Sequence, residues 1–567
     1  MEKSKKYTQI TQFTFLTVAL IAINIISYEY YFKVDLTKEK RHSLREASKH
    51  LIKSLDEEVF IEVFLEGSLP TKYKVLRDAT EDLLEEFADY SKEGFHVEFK
   101  DPFEGLEMQA KQKRYGELLQ KGITPVPIST QEDNPMQKKI VFPGALVKYK
   151  GQELAVQILQ GEIAISNTKA IENSISKLEY NFASCLRRMH QDKKARIGFV
   201  HGHGELEPIE VMDFVKQIAL YYDIEPIELP KTIRIPEVFD AIIIAKPQTS
   251  FNEYEKFKID QYVMHGGKAI WLVDGVNASM DSLGKEAAFL APKNEHGLDD
   301  LFFNYGVRIN ADLVQDLLCV PHPFVTGYVG EVPQQELMPW FYYPMVLPQS
   351  SHPIVANMDA LLFRYCSTID TIENPRLKKT ILLKSSNYSR ILPAPSRVNL
   401  SILKHKPEPK MFNKPEQSLA VLIEGKFKSL YAHRVNQTFI KNLSDSINIS
   451  YKKESPKTAM IFISDGDFIK NDMDKRGNMF PLGFYKFTQK TFANKDLLIN
   501  AVDYLCDTTG LVSLNARNIQ LRPLDNSRVK LETKKWTLIN LIVPILLILF
   551  IGLVYFIYRT KKYKGRL

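Results

Sequence analysis

At 567 residues, the chain is several times longer than a typical single domain, so two or more packed units are expected. Hydrophobic residues make up 44% and charged residues 25% of it, an ordinary globular composition that confines any membrane character to particular segments. Most of the formal net charge of +7 lies in basic stretches at the two ends, and residues 33–535 are nearly neutral. A neutral domain lacks the basic surface that binds phosphates, so nucleic acid is not an expected partner.

An apolar run near the N-terminus, residues 13–32, has about the 20 residues that a helix needs to cross the hydrocarbon layer, and three lysines precede it. The alternative is a cleaved signal peptide, which should end in small residues. Here bulky aromatic residues, among them Tyr30 and Tyr31, end the run. We therefore predict an uncleaved transmembrane helix over residues 13–32 after a cytoplasmic tail, residues 1–12, with an aromatic belt at the far interface.

A second apolar run, residues 536–558, contains no Asp, Glu, Lys or Arg and is bounded by Trp536 and Tyr558. A basic tail, residues 559–567, follows at once. A buried core helix is the alternative for either run. Because both tails are basic, the positive-inside rule predicts a two-pass protein with both termini in the cytoplasm and the large domain on the opposite side.

Four cysteines, Cys185, Cys319, Cys366 and Cys506, stand singly, without a C-x-x-C pair or the spacing of zinc ligands. This spread excludes a disulfide scaffold. A bridge such as Cys319 to Cys366 and free buried thiols both stay open as alternatives.

The predicted large domain consists of two α/β units, residues 33–190 and 191–510, followed by a connector, residues 511–535. In the first unit, apolar periodicity predicts strands at 59–65, 95–99, 140–148 and 153–158 and helices at 73–87, 104–121 and 167–190. The strand–helix–strand order favours parallel pairing of the first two strands. The last two strands meet at Lys150-Gly151, which predicts a hairpin turn.

The second unit alternates continuous apolar strands with amphipathic helices, the pattern of a doubly wound sheet covered on both faces. Strands are predicted at 196–201, 240–245, 268–273, 380–384, 419–423 and 460–464, and helices at 211–222, 252–264 and 492–506. Ser250 and Glu253 predict a capping box for the middle helix. Two proline-rich stretches, residues 321–353 and 393–415, predict long surface loops.

Two turns of this unit carry groups that could bind a metal. His201, His203 and Glu205 directly follow a predicted strand, at the carboxyl edge where α/β sheets usually bind ligands. Two imidazoles with one carboxylate leave the ligand set incomplete, and the intervening glycines also suit a strand-to-helix turn. Asp465 and Asp467 resemble part of a calcium loop without its terminal glutamate, so a tight turn with a helix cap is the preferred interpretation.

The sequence contains no pattern for a catalytic nucleophile or for nucleotide binding. There is no G-x-S-x-G elbow, and the lysine after Gly266-Gly267 leads into a strand and not into the helix of a P-loop. We therefore predict no catalytic, cofactor-binding or metal-binding residues, and any energy must come from another protein.

Six segments in order resemble the family of gliding-motility ABC transporter auxiliary proteins, GldG. They are residues 34–37 with 41–44, 201–205, 261–274, 305–313, 352–354 and 464–472. The resemblance implies a bacterial inner-membrane subunit that associates with a permease and a separate cytoplasmic ATPase, with two copies per complex. It also implies that the middle unit is an amidotransferase-like sheet. That enzyme class needs a nucleophilic cysteine after a strand, and Cys185 lies in the preceding helix, so the chemistry is expected to be absent.

Three functions compete at this point. The first is a non-enzymatic auxiliary subunit whose periplasmic domain binds or couples within the complex. The second is a solute-binding module that is tethered to its own permease, and the third is a membrane-anchored hydrolase. Two α/β units could flank a ligand cleft, but no convergent polar set in the sequence names a ligand.

Overall fold

A computed structural model describes residues 11, 13–24, 43–67, 69–129, 138–159, 167–191, 194–283, 288–403, 407–435, 450–474, 476–507, 510–516 and 526–564. The chain divides into two compact units, Met1–Ile519 and Gln520–Leu567. All strands of the described residues belong to the first unit, and one long helix makes up the described part of the second.

Helices and strands alternate through much of the first unit. In chain order the helices are α1 (Phe13–Asn24), α2 (Glu46–Ser54), α3 (Thr71–Tyr90), α4 (Met108–Gln120), α5 (Asn167–His190), α6 (Met212–Ala219), α7 (Glu253–Met264), α8 (Met280–Leu283), α9 (Asp299–Asn304), α10 (Asn494–Cys506) and α11 (Asn526–Lys564). The strands are β1 (Val59–Val63), β2 (Phe95–Phe99), β3 (Val126–Ser129), β4 (Lys138–Val141), β5 (Gly144–Tyr149), β6 (Gln152–Gln157), β7 (Arg196–His201), β8 (Asp223–Glu228), β9 (Ala241–Ala245), β10 (Lys268–Leu272), β11 (Ala288–Ala291), β12 (Val307–Ile309), β13 (Asp312–Asp316), β14 (Cys319–Val329), β15 (Val332–Val346), β16 (Leu361–Leu362), β17 (Ile369–Thr371), β18 (Leu377–Lys384), β19 (Ser389–Pro393), β20 (Ser396–Asn399), β21 (Ser418–Lys428), β22 (Glu454–Ile463), β23 (Phe484–Tyr485) and β24 (Lys490–Thr491).

A four-stranded sheet has the order β2-β1-β5-β6. Strands β1 and β2 are parallel, as predicted, because α3 provides the crossover between them. Strands β5 and β6 form the predicted hairpin, and both turn residues, Lys150 and Gly151, have positive φ angles of 49° and 69°. The strand that we expected over residues 140–148 is instead two strands, β4 and β5, and Pro143 lies between them.

A seven-stranded sheet has the order β18-β21-β22-β10-β9-β7-β8. Strands β22, β10, β9, β7 and β8 are parallel, whereas β21 and β18 are antiparallel to their neighbours, so the sheet is mixed. Alternate residues of β9 enter different cores: Ala241 and Ile243 lie with α6 and α10 on one face, and Ile242 and Ile244 lie with α7 and α9 on the other. Burial on both faces explains why this strand is apolar throughout.

The first predicted proline-rich loop, residues 321–353, is wrong, since most of it is a long β-hairpin. Strands β14 and β15 pair antiparallel over these residues, and Pro321 faces Pro339 across the hairpin. Strand β14 has one neighbour, so its outer edge needs no N–H donor and tolerates proline. An aromatic core that includes Trp340, Tyr342 and Tyr365 holds the hairpin against the rest of the unit. The second stretch, residues 393–415, contains β20 and two short 3-10 helices between its loops.

The capping box of α7 lies two residues later than predicted. Asn252, and not Ser250, is the N-cap: its side-chain oxygen accepts from the N–H groups of Tyr254 and Glu255, both at 3.0 Å. Glu255 Oε2 in turn accepts from the N–H of Asn252 at 2.9 Å. The preceding residue, Phe251, is buried in the core, and its N–H donates to His296 O at 3.0 Å, outside the helix.

The structure describes all of the predicted C-terminal membrane segment but only residues 13–24 of the N-terminal one. Residues Glu532–Lys561 of α11 form an apolar helix long enough to cross a membrane, with a mean hydropathy of 2.8 over its most apolar window and no burial. Helix α1 is apolar but shorter, and the remainder of the predicted N-terminal segment, residues 25–32, lies outside the described residues.

Candidate functional site

The carboxyl edge of the parallel strands brings together side chains that are far apart in the sequence. Parallel strands end at the same edge of a sheet, where α/β proteins usually bind ligands. The turn after β7 carries His203, the turn after β9 carries Lys246, the turn after β10 carries Asp274, and the turn after β22 carries Asp465 and Asp467.

His203 is buried between an aromatic ring and two carboxylates. Its ring stacks on Phe251, with centroids 3.6 Å apart and an interplanar angle of 13°. Its Nε2 lies 3.0 Å from Glu255 Oε2, and its backbone N–H donates to Glu205 Oε2 at 2.6 Å. Gly202 precedes it with a φ angle of 126°, and a Cβ at Gly202 would lie 2.3 Å from Pro230. Only glycine fits that turn, so the turn that aims His203 inward depends on it.

Two carboxylates determine the charge of this imidazole. Burial lowers the pKa of His203, but hydrogen bonds and charge from Glu205 and Glu255 outweigh burial and raise the pKa overall. Burial alone would raise the pKa of Glu255. The hydrogen bond from the Asn252 N–H and the interaction with His203 outweigh the effect of burial, so the pKa of Glu255 is lowered overall. Both shifts favour the ionised forms of His203 and Glu255, which face each other at the start of α7.

The other predicted histidine does not join this pocket. His201 is the last residue of β7, and its carbonyl oxygen accepts from the N–H of Leu229 at 3.0 Å. Among the described residues, no group of three or more His, Cys, Asp or Glu side chains is arranged to hold a metal ion. The interpretation of the two glycines as parts of a backbone turn agrees with this geometry.

A second cluster joins three neighbouring strands, β9, β10 and β22. Lys246 Nζ lies 2.6 Å from Asp467 Oδ2 and 3.6 Å from Asp274 Oδ2. The N–H of Gly466 donates to Asp274 Oδ1 at 2.6 Å. Asp465 caps a 3-10 helix, Gly466–Ile469: its side chain accepts a hydrogen bond from the N–H of Asp467. This is the helix cap that the sequence predicts for this turn.

Burial controls the protonation of these carboxyl groups. It raises the pKa of Asp274 to about 6, although Lys246 partly opposes this rise. Burial, with the nearby charges of Asp274 and Asp467, also raises the pKa of Asp465 well above its ordinary value. The N–H of Arg364 donates to Asp465 Oδ2 at 2.6 Å, so both oxygens of this buried carboxyl group have partners.

Arg364 extends the cluster away from the sheet. Its guanidinium forms two parallel hydrogen bonds to Asp472, at 2.8 and 2.7 Å. This fork geometry is the strongest arrangement for an arginine–carboxylate pair. Sequence reasoning missed Lys246, Asp274 and Arg364; the one signal for the first two was their position directly after continuous apolar strands.

Burial raises the pKa of all four cysteines of the domain. All four are free thiols in the structure, so Cys319 and Cys366 are not bridged. Burial raises the pKa of Cys185 to about 12, which keeps its thiol protonated and unreactive. The charged groups of the edge contact one another across the strand ends and brace the sheet.

The chain thus combines a mixed α/β domain, whose charged strand edge is paired internally, with a long unburied apolar helix. Residues 194–501 match the family model described as an ABC-type uncharacterized transport system, and this chain belongs to that family. Residues 38–148 match a domain of unknown function.

The chain is similar in sequence to an uncharacterized protein of Borreliella burgdorferi, with 23% identity over 556 residues and 94% of each chain covered. Among solved structures, it matches the mmIFT52 N-terminal domain at 12% identity and a TM-score of 0.29, over 55% of this chain and 97% of that one. It also matches an exo-beta-1,4-mannosidase from an Opitutaceae bacterium at 10% identity and a TM-score of 0.18, over 86% of this chain and 56% of that one. Both TM-scores are too low to establish a shared fold.

Proposed function

We propose that this chain is a non-enzymatic auxiliary subunit of an ABC-type transport complex in a bacterial inner membrane, with its large domain in the periplasm for binding or coupling. The main support is that one chain contains both the match to the transport-system family, over residues 194–501, and an apolar helix long enough to cross a membrane, Glu532–Lys561. The basic tail after this helix supports a cytoplasmic C-terminus.

The proposed partners follow from what the sequence lacks. No P-loop pattern is present, so ATP hydrolysis belongs to a separate cytoplasmic ATPase, and a multi-spanning permease forms the path. Transport complexes of this type pair two permease halves, so we propose two copies of this chain, one beside each half. Both apolar segments contact membrane lipid.

Ion pairs between protein side chains at the carboxyl edge of the sheet support a structural role for the large domain. Lys246 is held by Asp467, His203 by Glu255, and Arg364 by Asp472. Each ionic group faces a protein partner and not an open cleft. A rigid sheet of this kind suits a domain that transmits a conformational change or presents a docking surface.

The apolar helices are proposed as contact surfaces as well as anchors. Asn24 in α1 and Asn540 and Gly552 in α11 are the polar or small residues that favour association in lipid, each interhelical hydrogen bond contributing about 1 kcal/mol. The Asn24 amide already donates to Leu20 O at 3.0 Å within its own helix, so Asn540 is the stronger candidate for a contact with another protein.

The test is purification of the intact chain from its native membrane with identification of what accompanies it. A permease and an ATPase should be recovered in amounts comparable to the chain. In a matched sample, residues 13–32 and 536–558 are replaced by unrelated apolar helices of equal length and orientation. Recovery should fall if the helices are contact surfaces, and unchanged recovery would mean that the periplasmic domain alone holds the complex. Absence of any permease from the wild-type sample would refute the proposal.

The ordered motifs that resemble gliding-motility auxiliary proteins support a finer proposal, that the complex serves movement on surfaces. A deletion strain should then spread less on agar and glide less as single cells, and the intact gene should restore both. A strain that glides normally while losing a transport phenotype would contradict this assignment and leave the transport role intact.

A second candidate, a solute-binding module tethered to its permease, is favoured by one specific observation. A polar cavity of about 140 Å³ lies against α5, and polar residues line much of it. Saturable binding of a small ligand by the intact chain would support this candidate.

A further inference from the structure

A basic surface lies at the amino edge of the seven-stranded sheet, opposite the carboxyl edge that holds Lys246 and Asp274. Strand β21 ends there and strand β22 begins there, beside the start of β18. Eight Lys or Arg residues and two Glu are found in three short segments of this edge, residues 376–379, 424–428 and 452–458. The nearly neutral total charge of the domain averages over this surplus of positive charge and so conceals it.

The register of the strands places three lysines on one face of this surface. Lys426 stands directly opposite Lys457, and Lys378 stands opposite Glu424, which is two residues before Lys426 on the same strand. Residues that are opposite each other or two apart share a face of a sheet, so these side chains point the same way. All three lysines are exposed, and we call Lys378, Lys426 and Lys457 the lysine face.

One acidic residue does not neutralise the lysine face. Lys378 Nζ lies 3.3 Å from Glu424 Oε2, and Glu424 Oε1 accepts from the Tyr504 hydroxyl at 2.8 Å. Within the part of the chain that the structure describes, neither Lys426 nor Lys457 has a side-chain hydrogen bond or an ion pair. Like charges directly opposite in a sheet repel each other, so this pair lowers stability unless a negative partner lies against it.

Protection of the sheet edge accounts for only part of this charge. Lysines on an edge strand hinder pairing with other chains, and Lys378 lies on β18, an edge strand. Lys426 and Lys457 lie on β21 and β22, and each of these strands has a neighbour on both sides. Their charge needs another explanation, and exposed ammonium groups without partners favour an anionic surface.

The lysine face adjoins the point where the chain leaves the large domain. Asn515 Nδ2 donates to Pro353 O at 2.6 Å, and the ring of the adjacent His352 lies 5.0 Å from the ring of Tyr504. Tyr504 in turn bonds Glu424, beside the lysine face. The chain continues from Asn515 toward α11, so the positive charge adjoins the segment that leads to the apolar helix.

We propose that the lysine face docks on the anionic phospholipid headgroups of the membrane that α11 crosses. Lipid phosphate groups supply the negative charge that Lys426 and Lys457 lack. An ammonium group binds phosphate as a point charge, which suits flexible and exposed lysines. Docking of this kind holds the large domain in one orientation at the bilayer surface. The proposal rests on the membrane anchorage in the proposed function, and not on its permease or ATPase.

The test compares the intact chain in nanodiscs of phosphatidylcholine alone and in nanodiscs that also contain about 30% phosphatidylglycerol, an anionic lipid. Amine-reactive labelling, measured by mass spectrometry, reports the exposure of each lysine. Lys426 and Lys457 should react about 5-fold or more slowly with the anionic lipid present at about 0.1 M salt. This protection should disappear at about 1 M salt, where screening shortens the reach of a charge from about 10 Å to about 3 Å.

An internal control is Lys231, which follows β8 at the opposite edge of the sheet and has a side chain that is 81% exposed. It should react equally in the two kinds of nanodisc. A double variant, Lys426→Gln with Lys457→Gln, should abolish the protection of Lys378 by the anionic lipid. The variant should be no less stable than wild type, because it removes a repulsion. Lys231→Gln is the matched control variant and should leave the protection of Lys378 intact.

Equal labelling of Lys426 and Lys457 in the two kinds of nanodisc would overturn the proposal, as would protection that survives about 1 M salt. A double variant that is less stable than wild type and still protects Lys378 would also overturn it. Protection in native membranes but in neither nanodisc would assign the lysine face to an acidic protein and refute docking on lipid. Failure of the chain to enter nanodiscs would instead refute the anchorage itself, so the two failures are distinguishable.

Discussion

The N–H of Gly466 donates to Asp274 Oδ1 at 2.6 Å and so joins the ends of two neighbouring parallel strands, β22 and β10. Although 192 residues separate the two in sequence, the turn after one strand fits directly against the carboxylate after the other. Lys246, from the turn after β9, packs against the same glycine.

A side chain at position 466 should therefore destabilise the domain. A Cβ there would lie 2.6 Å from Lys246 Cγ and 3.0 Å from Asp274 Oδ2. Gly466→Ala should lower the free energy of unfolding by about 1–3 kcal/mol through overpacking, measured by urea titration of the intact chain in detergent. Gly116→Ala is the control, because nothing lies within 4 Å of its Cβ in the interior of α4, and it should be neutral or stabilising.

The pH dependence of stability should report the buried carboxyl group of Asp274. Since burial raises its pKa to about 6, the folded chain binds more protons than the unfolded chain between about pH 4 and pH 6. The contribution of Asp274 to stability should therefore fall as the pH rises through this window. Asp274→Asn keeps an acceptor for Gly466 and should flatten the profile by up to about 3 kcal/mol relative to wild type. Parallel profiles for the two proteins would contradict this assignment.

Asp503 should be among the most sensitive positions of the domain. Its buried carboxylate accepts from Tyr222 at 2.5 Å, from Tyr180 at 3.0 Å and from Arg188, so it ties α5 and the turn after α6 to α10. Asp503→Ala leaves buried arginine without its counter-charge and should cost about 3–5 kcal/mol of unfolding free energy. Asp300→Ala, at a pair whose carboxylate is 38% exposed, should cost less than about 1 kcal/mol. Equal effects would mean that burial of the network is not what matters.

The two histidines of the turn after β7 should separate a structural role from a metal role. His203→Ala removes a stacked ring and leaves Glu255 unpaired, so we expect a loss of about 2–4 kcal/mol. His201→Ala should change stability by less than about 0.5 kcal/mol. Elemental analysis of the metal-stripped chain after dialysis against zinc or calcium should find neither in stoichiometric amount, and stoichiometric metal that is lost in either variant would overturn the structural role.

The proposed topology can be checked with an exposed residue of the large domain. Asn277→Cys should react with an impermeant thiol reagent in cells whose outer membrane has been opened, and a cytoplasmic reporter fused at Leu567 should be active. The wild-type chain, with two of its four thiols buried, measures the background labelling. Labelling of the introduced cysteine only after lysis of the inner membrane would place the domain in the cytoplasm.

Local pattern predicted much of the fold. Strand β7 and helix α5 have the bounds that were expected, because a short apolar strand and a long amphipathic helix carry strong periodic signals. The hairpin at Lys150-Gly151 was predictable from its turn residues alone. The β14–β15 hairpin was missed because proline usually marks loops, and its tolerance at an edge depends on which strands pair.

The functional geometry was less accessible to sequence reasoning. The cluster of Lys246, Asp274 and Gly466 depends on strand order, which the sequence does not state. The burial of Lys177 and Ser184 on α5 was missed for a related reason: a polar face of a helix is ordinarily assigned to solvent, and only the packing of other elements against α5 shows that both side chains are buried.

The prolines of the long hairpin also hinder strand pairing between copies of the chain. Pro321 and Pro323 lie two residues apart on β14, an edge strand, so one lateral side of that strand lacks two N–H donors. An incoming strand would find no continuous ladder to extend there. Where copies of the chain meet, this edge therefore resists repeated strand addition, although the hairpin is long.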